Sequence, residues 1–200
     1  MHTIAIIATA AVCLAACASS PAGAGGTVLF EGAIPTVSGP PLVPPSIGIT
    51  QDPPGGGGPA YFWSDAKTPL ETGTVEIKFS RSRFVSIRGL DYLAFELMVD
   101  NIALLNDVTG FFPRLYFGTG DRDFVQFRNT PEIRDILAAG QEAGQWFTVR
   151  VPVTEVTIHA FEQNYSASKN SLCAVMFRFI CITKDEIPGT WYVRNIRFEN

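Results

Sequence analysis

From Gly73 onward, apolar residues recur at every second position, and this period restricts the chain to a fold built from strands. In TVEIKFS, Val75, Ile77 and Phe79 alternate with Thr74, Glu76 and Lys78; in DYLAFELMV, Leu93, Phe95, Leu97 and Val99 alternate with Tyr92, Ala94, Glu96 and Met98. Successive strand side chains point to opposite faces, so these runs describe strands buried on one face. The pattern continues in RLYFGT, in FVQFR after the turn-like Gly120-Asp121-Arg122-Asp123, in QWFTVRV, in the apolar run 172–183 and in WYVRNIRF. One helix interrupts it: Thr130 caps, Pro131 takes the first helical position, and Gly140 closes a short helix over 131–139. With TVLFE as a first strand, about nine or ten strands and one short helix predict an all-β fold, a two-sheet antiparallel β-sandwich.

The chain has 200 residues, enough for one domain with its own core. Its 46% hydrophobic, 12% aromatic and 17% charged residues exclude a disordered chain and a coiled coil. With 15 Lys plus Arg against 19 Asp plus Glu the net charge is −4, which gives no general attraction to nucleic acid. The uncharged run from Ile4 to Leu14 has the length of a signal-peptide core and is too short to span a membrane. It ends in Leu14-Ala15-Ala16-Cys17, which resembles the lipobox of bacterial lipoproteins. The resemblance implies a signal peptide over 1–16, a lipid on Cys17, a tether over 17–26 and a folded domain over 27–200. Ala18-Ser19 after the cysteine, with no Asp, implies the outer membrane. Cleavage after Ala18 would instead give a freely soluble exported protein. Within the domain, residues 35–59 hold eight of the fourteen prolines and the run Gly55–Gly58, and read as a long loop, a spacer rather than a binding loop. Cys173 and Cys181 lie roughly 26 Å apart if their run is one strand, and read as two buried free thiols.

Without the signal, His159 is the only histidine, and a lone strand histidine reads as structural. There is no HExxH, G-x-S-x-G, Walker loop or G-x-G-x-x-G fingerprint. Glu76 and Glu96, outward on adjacent-looking strands, and Asp121 and Asp123 at a turn are the acids open to glycoside chemistry; they read as solvated surface residues. Arginine is the distinctive feature: eleven of the fifteen basic residues are Arg. Arg114, Arg128, Arg150, Arg178 and Arg197 sit in strands opposite the apolar positions. Tyr116 shares the parity of Arg114, Phe124 and Gln126 that of Arg128, Trp146 that of Arg150, and Trp191 and Asn195 that of Arg197. Aromatic rings pack on pyranose faces while Arg, Asn and Gln hydrogen-bond hydroxyls or pair with a carboxylate. A sheet face carrying Arg114, Tyr116, Gln126, Arg128, Trp146, Arg150 and Arg178 would thus hold a polysaccharide, and suits an acidic one. The competing reading pairs these arginines with acids across strands. Tyr61-Phe62-Trp63 reads as the staple returning the long loop to the core.

The order of a Thr72–Phe79 strand, LDYLAFELMV, GQWFTVRVPV, LCAVMFRFICI and GTWYVRNIRFEN resembles the galactose-binding-like jelly roll of many carbohydrate-binding modules. That resemblance implies a jelly-roll sandwich over 27–200 and a polysaccharide partner. It also implies a structural calcium, for which Glu31 and Glu199 are the candidate ligands, although Arg194 stands where relatives often carry Asp. The resulting expectation is a non-catalytic, lipid-anchored envelope module that binds polysaccharide. A structural or assembly protein, and a polysaccharide lyase or hydrolase on a jelly roll, are the alternatives.

Overall fold

The computed structural model describes residues 28–29, 34–37, 47–64, 74–118, 124–126, 141–153, 158–159, 171–181 and 187–200. Within them the alternating runs form twelve strands: β1 (Val28–Leu29), β2 (Ile34–Val37), β3 (Ile47–Thr50), β4 (Ala60–Ser64), β5 (Thr74–Val85), β6 (Tyr92–Val99), β7 (Val108–Phe117), β8 (Phe124–Gln126), β9 (Phe147–Pro152), β10 (Ile158–His159), β11 (Leu172–Cys181) and β12 (Thr190–Glu199). Sheet A has the order β3-β4-β12-β6-β9, with β1 also on β12; sheet B has the order β10-β8-β7-β11-β5-β2. All pairings are antiparallel. The fold is the expected two-sheet jelly-roll sandwich.

The inward residues of both sheets merge into one core, in which Phe95 of β6 stacks on Phe177 of β11 at 4.3 Å between centroids. Phe179 of β11 packs on Trp191 of β12 at 4.7 Å, and Tyr61 of β4 meets Phe79 of β5 edge-on at 5.1 Å. Each buried ring of this kind contributes about 1.5–3 kcal/mol. Trp63 stacks on Trp191 along sheet A, so the Tyr61-Phe62-Trp63 segment does staple the chain to the core, with Phe62 on the opposite face. The cost is polar: both indole Nε1 groups are buried without a hydrogen-bond partner.

Two local features depart from simple alternation. In β12 the pairing with β6 shifts between Arg194 and Arg197, and Asn195 takes a left-handed backbone, φ 51°. This one-residue bulge changes the parity: Trp191 and Val193 face the core before it, and Ile196 and Phe198 after it. Trp191 therefore lies on the face opposite Arg197, contrary to the expectation from spacing. In sheet B, Ala174 pairs with Ser80 but Leu172 with Val85, so residues 81–84 of β5 bow out of the ladder. Arg83 and Phe84 there are exposed.

The described helix is α1 (Ile102–Asn106), where the spacing gave no helix; the expected one over 131–139 lies outside the described residues. Asn101 caps α1, its Oδ1 accepting from Ala103 N at 3.0 Å while its Nδ2 donates to Pro188 O at 2.6 Å. Leu104 and Leu105 bury beneath it, and α1 carries the chain from β6 in one sheet to β7 in the other. The stretch 35–59 is not simply a spacer, because β3 and part of β2 lie within it and Gly56 is fastened to sheet A. Leu172–Cys181 is one strand, as expected; Cys173 forms no disulfide and its thiol donates to Tyr116 O at 3.4 Å. The Cys181 side chain lies outside the described set, as do Cys17, Glu31 and Arg128.

Candidate functional site

The sandwich has two outer faces, and the residues expected to form one site divide between them. Arg114 and Tyr116 on β7 and Arg178 on β11 occupy the outer face of sheet B, where Gln126 of β8 pairs in register with Arg114. Trp146 and Arg150 belong to the outer face of sheet A. Alternation assigns each residue to a side of its own strand; strand order decides which strands share a sheet. The same division separates the paired-acid candidates, since Glu76 is on β5 of sheet B and Glu96 on β6 of sheet A.

On sheet A the outward charges close on one another. Arg150 Nε donates to Glu199 Oε1 at 2.8 Å and Arg197 Nε to Glu199 Oε2 at 2.7 Å. The Arg150 guanidinium also lies 4.0 Å over the Tyr92 ring. Arg194 donates from Nε to Glu96 and from Nη1 to Gly56 O at 2.6 Å, and its guanidinium covers the Trp146 ring at 3.9 Å. Asn195 Nδ2 adds a bond to Glu96 Oε1 at 2.9 Å. Burial pushes the Glu96 carboxyl up, but the Arg194 and Asn195 hydrogen bonds and the Arg194 and Arg197 charges outweigh it and hold it below its ordinary value. Arg194 is the hub of this face: it ties the glycine loop and Trp146 to the sheet. The competing reading of the arginines, pairing with acids, holds on this face, across strands for Arg150 and Arg194 and within β12 for Arg197. Both Glu199 oxygens are engaged by guanidinium groups, so this carboxylate does not fit a calcium ion without displacing Arg150 and Arg197.

Sheet B differs in charge and in geometry. Glu76 Oε1 lies between Arg178 Nε at 3.3 Å and Arg114 Nη1 at 3.5 Å, so one carboxylate serves two guanidinium groups at long range. The Arg178 Nε is buried and makes no hydrogen bond. Aromatic faces position the other cations: Lys78 Nζ sits 4.1 Å over the Tyr116 ring, and Arg114 lies 4.8 Å over Phe124. Tyr116 and Met176 pack together, the phenol 3.5 Å from the sulfur, as a small apolar cluster on the outer side of the sheet. Half-buried Phe112 pairs in register with Arg178. Lys78 and Phe112 were not among the expected site residues, and Glu76, which reads from the sequence as a solvated acid, is half-buried here, although the alternation in TVEIKFS already sets Glu76 and Lys78 on one side.

This is a sheet face bearing rings, planar cations and a shared carboxylate. No family model and no curated protein matches the chain. Solved structures do. A carbohydrate-binding module of family 28, specific for non-crystalline cellulose, superposes with a TM-score of 0.54 at 20% identity, covering 86% of this chain and 92% of that one. The fold is that of β-sandwich carbohydrate-binding modules. A second similar structure, described as a carbohydrate-binding module of the β-sandwich superfamily with promiscuous specificity, gives a TM-score of 0.50 at 15% identity over 85% of this chain and 60% of that one. A β-1,2-glucanase from Parabacteroides distasonis gives 0.52 at 15% identity, but the match covers only 23% of that enzyme against 84% of this chain. At these identities the likeness is one of fold.

Proposed function

We propose that the chain is a non-catalytic polysaccharide-binding module of the bacterial envelope, anchored through a lipid on Cys17, with the outer face of sheet B as its binding surface. The observation that carries this reading is the convergence of Arg114, Tyr116, Arg178, Lys78, Phe112 and Phe124 on that face, beside Gln126 in register. Half-buried Phe112 and Phe124 are the rings there that can meet a pyranose, next to planar donors for its hydroxyls, while buried Tyr116 backs Lys78. The carbohydrate-binding modules with the same fold support the assignment. Neutral and acidic polymers both present such rings, and the charge of the face bears on the choice between them.

The absence of catalysis in this reading rests on the acids. Of the four candidate acids, Asp121 and Asp123 lie outside the described residues, and Glu76 and Glu96 are on opposite faces of the sandwich, each engaged by arginine, so these two do not form the facing pair that glycoside hydrolysis uses. Among the described residues no contiguous apolar patch favours an assembly role: the exposed large apolar residues there, Ile49 and Phe84, lie in different sheets. The calcium expected at Glu31 and Glu199 forms no part of the reading.

Affinity electrophoresis of the folded domain in gels containing soluble glucans, xylans and uronate polymers tests the binding. Retention by at least one polymer, weakened by Arg114→Ala, is expected; migration unaffected by every polymer would sink the proposal. For the anchor, metabolic labelling with a fatty-acid analogue should mark the wild type and not Cys17→Ala, and should locate the label in the outer membrane. Label in Cys17→Ala, or none in the wild type, would remove the lipid.

A further inference from the structure

The strands of sheet B carry five basic residues, Lys78, Arg81, Arg83, Arg114 and Arg178, and one acid, Glu76. Those of sheet A carry Arg150, Arg194 and Arg197 against Glu96 and Glu199. The whole chain is at −4, so the described strands gather positive charge on one sheet of an acidic protein. We infer that the outer face of sheet B selects a carboxylate-bearing polysaccharide, and that the carboxylate of a uronate residue seats between Arg114 and Arg178, where Glu76 is now the shared partner. This rests on the polysaccharide reading above and adds the ligand class and the subsite.

Geometry supports the subsite over a purely structural ion pair. Where this fold uses Arg–Glu pairs structurally, on sheet A, Nε-to-oxygen distances are 2.7 and 2.8 Å and each Glu199 oxygen has its own arginine. On sheet B a single oxygen, Glu76 Oε1, faces both arginines at 3.3 and 3.5 Å, and the buried Arg178 Nε is left without a hydrogen bond. A carboxylate shared at this range leaves the guanidinium groups under-satisfied, and the Arg178 side chain, 30% exposed, is open to a second carboxylate in the planar, two-point geometry that guanidinium favours. The rest of the face agrees. Tyr116 and Phe124 support Lys78 and Arg114, so those cations are positioned before any ligand arrives. The bowed segment 81–84 then extends basic charge from Lys78 along the same strand, with Arg83 and Phe84 exposed at its end. A polymer with repeated carboxylates can meet the subsite and this arm together; a neutral glucan uses neither.

The test compares alginate, polygalacturonate, hyaluronan and glucuronoxylan with the carboxyl-reduced form of each, by titration calorimetry at low and moderate salt. At least one native polymer should bind roughly tenfold more tightly than its reduced form, with affinity falling as salt rises. Arg178→Gln should abolish that preference, Arg178→Lys should retain part of it, and Glu76→Gln should strengthen uronate binding by relieving competition. Each variant is first shown to melt like the wild type; if Arg178→Gln does not, Arg178→Lys and Glu76→Gln carry the test. Equal binding of native and reduced polymers, binding of neutral glucans alone, or an acidic preference indifferent to Arg178 and Glu76 overturns this inference and leaves the polysaccharide reading intact. Binding to no polymer overturns both.

Discussion

Arg194 shows how one side chain can organise a surface. Its guanidinium bonds Glu96 and Gly56 O and covers Trp146, so there is no room for a Cβ on Gly57, which also has φ +91°. Gly58 has φ +94° but open space around it. Both Gly→Ala changes incur backbone strain of about 1–2 kcal/mol, and Gly57→Ala should cost roughly 1–3 kcal/mol more by displacing the guanidinium. Urea unfolding of the two variants measures the difference; equal losses would mean that Arg194 does not latch the loop. Glu96 makes the same latch sensitive to acid. Its folded-state value lies below the ordinary glutamate value of about 4.3, so the stability it confers is complete above that value and is lost as pH falls through the lower one. Melting curves between about pH 5 and pH 3 should therefore fall more steeply for the wild type than for Glu96→Gln.

Among the elements, β12 is the most exacting. It lies at the centre of sheet A, between β6 on one side and β4 and β1 on the other, and its bulge keeps Trp191, Val193, Ile196 and Phe198 all in the core. Deleting Asn195 would restore strict alternation and turn one half of the strand inside out. That deletion should abolish cooperative thermal unfolding, whereas Asn195→Gly, which keeps the left-handed residue, should fold. The bulge also marks the limit of reading this sequence. β5, β6, β7, β9, β11 and β12 were legible from alternation, because half-buried strands repeat every two residues. Trp191 was assigned to the face of Arg197 because a bulge leaves no mark in spacing. α1 was missed because five residues, IALLN, are too few to show a helical period. β3 was missed because its four residues lie in a Pro- and Gly-rich stretch. For the site, Arg114, Tyr116 and Arg178 were legible as outward residues, and Arg114 and Tyr116 as neighbours on one strand. That Trp146 and Arg150 belong to the other sheet was not, because strand order is fixed by pairings between segments distant in sequence.

On the scale of the whole molecule, the two outer faces have been put to different uses. Sheet A holds its charges in compact pairs and fastens loops; the described strands of sheet B carry five basic residues and one acid, and the proposed site. Added salt should therefore weaken ligand binding far more than it lowers the melting temperature, since short, hydrogen-bonded pairs are screened less than the longer-range attraction between a polyanion and a basic face. A melting temperature that falls in step with affinity would show that both faces depend on the same exposed charges. The central position of β12 has a consequence for biosynthesis. A ribosome delivers β12 after every other strand of the sandwich, and until it arrives β4 and β1 have no β6-linked partner on which to assemble. A chain ending at residue 189 should stay sensitive to protease, and the full chain should resist it. Such an order of synthesis leaves sheet A unclosed until its last described strand is made, which suits the proposed export, since transport across a membrane in unfolded form needs a chain that can still be threaded through a narrow pore.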